Sequence, residues 1–231
     1  MQAFVIAIPG HEDSQLHADR CIQSIIDTKS WIDVQKFDAI TPENMWEVDW
    51  KWPYTKKKTC PTTGMTLKAY KTYDMTKRIA AAGSHYRLWQ KAIQLNQPIM
   101  ILEHDAIFTN KIEIDPRDNT ILDNKYGVIG INDPRGATRK SHVYHTLICE
   151  SRWPVQRVPQ IDDVMIPQGL AGNSAYIIKP WAAKKVIQKV KEIGAWPNDA
   201  LLCYQIFGIA FLGVTKKYYT RVQGLPSTTT L

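Results

Sequence analysis

Short apolar runs rich in Val and Ile recur along this chain, separated by stretches with helical periodicity. The first, AFVIAI (3–8), carries no polar residue and stops at Pro9-Gly10. A strand without polar alternation must be covered on both faces, as strands inside parallel sheets are. SQLHADRCIQSII (14–26) follows, with Leu16, Cys21, Ile22, Ile25 and Ile26 near helical spacing. Strand, turn, helix is the opening unit of an α/β fold. Further strands are expected in VQKFDAI (34–40), PIMILEHDAIF (98–108), YGVIGI (126–131), SAYIIK (174–179) and IAFLGVT (209–215). Helices are expected in TKRIAAAGSHYRLWQKAIQLNQ (76–97), in PWAAKKVIQKVKEIG (180–194), which Pro180 can open, and in DALLCYQIFG (199–208). The expectation from this alternation is an α/β fold. The length, 231 residues, suits a single domain over 1–231. Residues 50–73 show no period and 132–167 are turn-rich and basic, so both read as long loops.

The run IMILEHDAIFT (99–109) ends abruptly in Glu103, His104 and Asp105. Side chains two apart on a strand share a face, so the two acids are expected together and His104 opposite. Ligands of open α/β sheets gather at the carboxyl ends of strands. Two carboxylates there suit Mn²⁺ or Mg²⁺, hard cations that keep waters and bind substrate phosphates. A charged strand end without a ligand is the other reading of the same tripeptide.

The formal charge of +7 favours anionic partners such as nucleotides, nucleic acid or acidic glycans, or else reflects only a basic soluble surface. Cys21, Cys60, Cys149 and Cys203 form no CxxC pair, so a zinc knuckle is not expected. They read as free thiols of a reducing compartment, the cytoplasm (the host's, for a viral protein). No run reaches the ~18 apolar residues of a membrane span, and MQAFVIAIPGHED lacks the basic start of a signal peptide.

Three separated blocks carry a resemblance. In GSHYRLWQKAIQLNQPIMILEHDAIF (83–108) the matching residues are Gly83, Ser84, His85, Leu88, Trp89, Ile101, Leu102, Glu103 and Asp105. GLAGNSAYIIKPWAAKKVI (169–187) and WPNDALLC (196–203) follow in order. Together they resemble the SH…LW…ILEDD, G…AY and Pro-x-Asp segments of glycosyltransferase family 25, which includes lipopolysaccharide glycosyltransferases and relatives of the collagen galactosyltransferases. His104 stands where the family has its middle acid. The resemblance implies a GT-A fold, a Rossmann-like α/β/α sandwich with a mostly parallel sheet, using a nucleotide-sugar donor, here expected to be a UDP-sugar, and a divalent cation, Mn²⁺ or Mg²⁺. On that template Asp105 is the direct metal ligand. Glu103 is a second ligand, or faces the ribose or a metal-bound water. The loop from Pro9 to Asp13 would receive the nucleotide base.

Other candidates carry two readings each. His85 approaches the donor, or fixes a helix start with Ser84 as cap; Trp89 reads as core. Asp199 is the base that takes the acceptor hydroxyl proton, on the family's acceptor side, or a helix N-cap. Asp162 and Asp163 are a second acidic pair, or a solvated loop. Asn173 binds sugar hydroxyls, or is a turn residue with positive φ. His11 and His17, with Glu12 and Asp13, lack the spacing of a zinc helix and are not taken as a metal site. Lys56, Lys57 and Lys58, beside Trp50, Trp52 and Tyr54, combine charge with stacking surface for a polyanion or a sugar, or form a solvated basic loop.

These readings converge on a metal-dependent glycosyltransferase acting on a glycan or lipopolysaccharide hydroxyl. Two alternatives stand beside it. One is a phage-type DNA glycosyltransferase acting on hydroxymethylated bases in duplex DNA. The other is a non-catalytic nucleic-acid-binding α/β module.

Overall fold

The computed structural model of the chain describes residues 1–50, 58–60, 63–67, 74–114, 120–136 and 140–224. The elements in chain order are β1 (Gln2–Ala7), α1 (Glu12–Asp27), β2 (Asp33–Asp38), β3 (Lys58–Thr59), β4 (Thr66–Leu67), α2 (Met75–Leu95), β5 (Ile99–Glu103), β6 (Ala106–Phe108), β7 (Val128–Gly130), α3 (Ser141–Glu150), β8 (Val155–Arg157), β9 (Ala175–Ile178), α4 (Pro180–Ile193), α5 (Asn198–Leu201), α6 (Tyr204–Phe207), β10 (Leu212–Thr215) and β11 (Thr220–Val222).

The main sheet has the order β2-β1-β5-β9-β7-β10-β8. β2, β1, β5, β7 and β10 run one way, and β9 and β8 run against them. Helices cover both faces, so the α/β/α sandwich with a mostly parallel sheet is observed. β5 shows why its sequence has no polar alternation. It lies between β1 and β9, with Ile101 beside Phe4 and Tyr176. Ile99 and Ile101 join the cluster that also holds Leu88 and Trp89 of α2 and Ala182 and Val186 of α4, while Met100 and Leu102 join the one containing Ala18 and Cys21 of α1. All four β5 side chains have no exposed surface. Burying each stabilises the fold by ~1.5–3 kcal/mol.

Several boundaries differ from expectation. The strand expected over 98–108 stops at Glu103, turns at His104-Asp105 and restarts as β6, which leaves the main sheet to pair with β11. Helix α2 begins at Met75, capped by Asp74, whose carboxylate accepts from Thr76 N at 2.8 Å. Ser84 and His85 therefore sit mid-helix, and the helix-start reading of His85 is wrong. Ser84 Oγ instead donates to Ala80 O and accepts from Ile40 N, tying α2 to the segment after β2. The expected loop 132–167 contains α3 and the edge strand β8. Its polar residues disguised a helix whose Tyr144 and Ile148 are buried one turn apart. Residues 199–208 form two short helices, because Cys203 bridges to Gly169 between them. A Cβ on Gly169 would lie 2.1 Å from Leu202 O, so only glycine permits that approach.

Candidate active site

β2, β1 and β5 are parallel, so their carboxyl ends open on one side. The loop after β1 turns at Gly10, φ +71°, into α1, whose N-cap is His11. Together with the starts of α2 and α5 and residues 159–174, these ends line a cleft of about 1750 Å³. Pro9, His85, Glu103, Asp105, Asn173 and Asp199 all line it. The structure thus gathers in one place residues spread over most of the sequence. Lys56 and Lys57 lie outside the described residues, and Lys58 is described only through its backbone in β3.

Glu103 ends β5 at the cleft floor. Its amide donates to Ser174 O at 2.8 Å. Its Oε1 lies 3.2 Å from His85 Nε2, and 39% of its side chain is exposed to the cleft. Burial opposes its charge, yet the hydrogen bond from His85 together with the charges of His85 and His104 outweighs that and holds the carboxyl below its ordinary range. His104 stacks on His17 at 6.2 Å between ring centroids, and burial holds its imidazole below the usual value.

Asp105 behaves in the opposite way. Desolvation and the charge of Glu103 raise its pKa to about 7. Its Oδ1 is buried and has no hydrogen-bond partner among the described residues. Both acids reach the cleft, but Asp105 does so from a turn, so strand alternation is not what brings them there. A divalent cation fits this donor set. It would supply the positive charge that Asp105 lacks and a partner for the orphaned oxygen. Mg²⁺ commonly uses one or two carboxylates and takes its remaining ligands from water and substrate phosphates. No three His, Cys, Asp or Glu side chains gather to hold a metal among the described residues.

Asn173 and Ser174 precede β9. They are 6% and 3% exposed, yet both Asn173 amide atoms and Ser174 Oγ lack hydrogen-bond partners among the described residues. The left-handed turn position belongs to Gly172, φ +78°, and not to Asn173. Asn173 lies in the turn before β9 but without the positive φ expected of it, and its buried amide remains available to a ligand. Ser174 was not legible as a site residue, since one serine beside a strand is common.

Asp199 is exposed into the cleft from α5. Pro197 occupies the N-cap, so Asp199 is no cap; among the described residues its Oδ1 accepts from Ala200 N, at 2.9 Å. Desolvation by the enclosing walls raises its pKa, Arg78 opposes that and Glu103 adds to it. Of the second acidic pair, Asp162 is engaged by Lys140 Nζ at 3.1 Å and Asp163 accepts from Met165 N. His11 is occupied in capping α1, its Nδ1 accepting from Ser14 N.

The sequence profile of glycosyltransferase family 25, described as an LPS biosynthesis protein, matches residues 2–202. The chain belongs to glycosyltransferase family 25. As a family 25 member it is a nucleotide-sugar-dependent glycosyltransferase. Among solved structures, the galactosyltransferase LgtC in complex with donor and acceptor sugar analogues aligns over 90% of this chain and 70% of its own, at 8% identity and a TM-score of 0.41. Mouse xyloside xylosyltransferase 1 aligns over 90% of this chain and 80% of its own, at 11% identity and a TM-score of 0.40. At such distances the likeness says nothing about site chemistry. No curated protein sequence matches this family 25 chain significantly.

Proposed function

We propose that this enzyme transfers a sugar from a UDP-sugar to a hydroxyl of a glycan acceptor of the lipopolysaccharide type, with Mn²⁺ or Mg²⁺ held by Asp105 and Glu103. The observation that carries the reading is the pairing, in one cleft, of an ionised Glu103 with an Asp105 whose buried oxygen lacks a partner among the described residues. A volume of about 1750 Å³ exceeds the ~300–1,000 Å³ of a single small-molecule site, which suits a donor and an acceptor bound together.

The bound cation would offset charge on the departing diphosphate. The chain's own groups do the rest. Asn173 and Ser174 offer three N–H or O–H donors and two acceptor oxygens for hydrogen bonds to the donor's sugar hydroxyls. Asp199 lines the same cleft, and its raised pKa makes it a better proton acceptor than an ordinary carboxylate. In a single displacement the acceptor oxygen forms the new bond to the anomeric carbon. Its proton passes to Asp199, and the nucleoside diphosphate leaves with the electron pair of the broken bond.

The Lys56–Lys58 run that suggested duplex DNA lies outside the described side chains, and the cleft's unpaired amide and hydroxyl groups match sugar hydroxyls. The test is a panel of nucleotide-sugars with Mn²⁺, with transfer followed onto lipopolysaccharide-type oligosaccharides and onto DNA containing hydroxymethylated bases. Metal-dependent transfer to the oligosaccharide is expected. Transfer to the DNA alone, or full activity in excess EDTA, would overturn the proposal.

A further inference from the structure

Trp89, Tyr176, His85 and Glu103 form one line of hydrogen bonds from the core to the cleft. Trp89 Nε1 donates to Tyr176 Oη at 2.9 Å, Tyr176 Oη lies 2.9 Å from His85 Nδ1, and His85 Nε2 lies 3.2 Å from Glu103 Oε1. Trp89, Tyr176 and His85 are 1%, 0% and 2% exposed, so water has no access to correct a mismatch.

The line has a direction. An indole N–H can only donate, so Trp89 occupies a lone pair of Tyr176 Oη. The buried tyrosine proton needs an acceptor, and His85 Nδ1 is the one within hydrogen-bond distance among the described residues, so the proton goes there. A ring nitrogen that accepts carries no proton, so the imidazole proton sits on Nε2 and is given to Glu103. The member furthest from the cleft thereby fixes how the last one is met. Packing alone does not call for this arrangement. Phe at 176 would fill nearly the same volume without burying a hydroxyl that needs a partner.

We propose that Trp89, Tyr176 and His85 are positioning residues for Glu103. They pin Oε1 to the His85 N–H and leave the second oxygen fixed toward the cation and the nucleotide-sugar that the cation would hold. The role rests on the glycosyltransferase reading of the cleft, but the direction of the line does not.

The first measurement is therefore made on the unliganded full chain. Long-range ¹⁵N–¹H NMR of its 6 histidines, with His85 assigned through His85→Gln, should show His85 as the Nε2–H tautomer. The Nδ1–H tautomer would overturn the proposal whatever the activity. The second measurement is kinetic, with the donor selected by the panel above. Tyr176→Phe should release the tautomer and raise donor KM about tenfold, with kcat changed less than about threefold, since a misplaced Oε2 weakens ground-state and transition-state binding alike. His85→Gln, whose side-chain amide can still donate to Oε1, should retain more donor affinity than His85→Ala. If Tyr176→Phe does not fold, Trp89→Phe removes the same directing N–H and should loosen the tautomer likewise. Unchanged donor KM in a folded Tyr176→Phe, or equal KM in the two His85 variants, would show that the line is only structural. If wild-type protein turns over no donor, the glycosyltransferase reading fails and the positioning role falls with it. A wrong tautomer in an active enzyme defeats this inference alone.

Discussion

On the α2 side of Glu103, the polar side chains of the cleft floor are matched to one another: Trp89 to Tyr176, Tyr176 to His85, His85 to Glu103. On the other side, Asp105 Oδ1, both amide atoms of Asn173 and Ser174 Oγ are buried without partners among the described residues. Both patches are set into the floor of the cleft and both contain buried polar atoms. They differ in what completes them. A buried polar atom left unpaired costs roughly 1–3 kcal/mol. The first patch avoids that cost within the folded chain; the second avoids it only when something enters the cleft. The comparison separates side chains that position from side chains that bind. It predicts that ligand binding stabilises this protein through the second patch.

The largest expected effect lies at Asp105. Asp105→Asn keeps the shape and removes the charge, so transfer should fall by ~10³-fold or more if several kcal/mol of charge stabilisation depend on it. EDTA should have the same effect on the wild type. The stability sign runs the other way. A carboxyl raised to about 7 in the fold contributes stability that is fully present below its unfolded pKa, ~3.9, and lost as pH rises through 7. Without metal, Asp105→Asn should therefore melt at or above the wild-type temperature at pH 8. A variant that loses activity and melting temperature together at pH 8 would place Asp105 with the positioning residues and break the comparison.

Asp199 extends the comparison to another residue lining the cleft. Asp199→Asn should lower kcat by ~10²–10⁴, as loss of a general base does, while calorimetric binding of UDP with Mn²⁺ is unchanged. Because its pKa is raised, Asp199 is protonated, and so lost as a base, at a pH above the ordinary carboxylate range. The acid limb of kcat should fall there. A wild-type profile flat down to about pH 4 would remove Asp199 from that role.

How much of this was legible in the sequence follows from the range of each interaction. The apolar runs at 3–8 and 99–102 announced buried parallel strands, because burial on both faces leaves a local signature. The acid pair and Asp199 stood out for their positions in quoted motifs. The line from Trp89 to Glu103 did not, although His85, Trp89, Glu103 and Tyr176 all lie in those motifs. It depends on a contact between residues 91 positions apart, and on packing that turns a tyrosine hydroxyl toward one imidazole nitrogen. The turn at His104-Asp105 was hidden for the complementary reason. Ala106, Ile107 and Phe108 continue the apolar pattern, and only the pairing of β6 with β11 draws them away from the main sheet. α3 was concealed by its setting in a basic, turn-rich segment.

The smallest effects decide the comparison most directly, because they involve no chemistry. Tyr176→Phe leaves the Trp89 N–H and His85 Nδ1 buried and unpaired, so it should destabilise the unliganded protein by about 1–3 kcal/mol. Ser174→Ala removes a hydroxyl that already lacks a partner. Its loss forfeits no hydrogen bond and relieves a desolvation cost, so stability should stay within ~0.5 kcal/mol of wild type or rise. Asn173→Ala removes two such atoms but also leaves a small void, and the two terms should nearly cancel. With the donor UDP-sugar and Mn²⁺ bound the contrast should appear in ligand response. Tyr176→Phe, still carrying Asn173 and Ser174, should gain melting temperature on binding, whereas an Asn173→Ala, Ser174→Ala double variant should gain less than wild type. Equal destabilisation of the unliganded protein by Tyr176→Phe and Ser174→Ala, measured by urea unfolding, would mean that Ser174 is satisfied in solution and that the two patches do not differ.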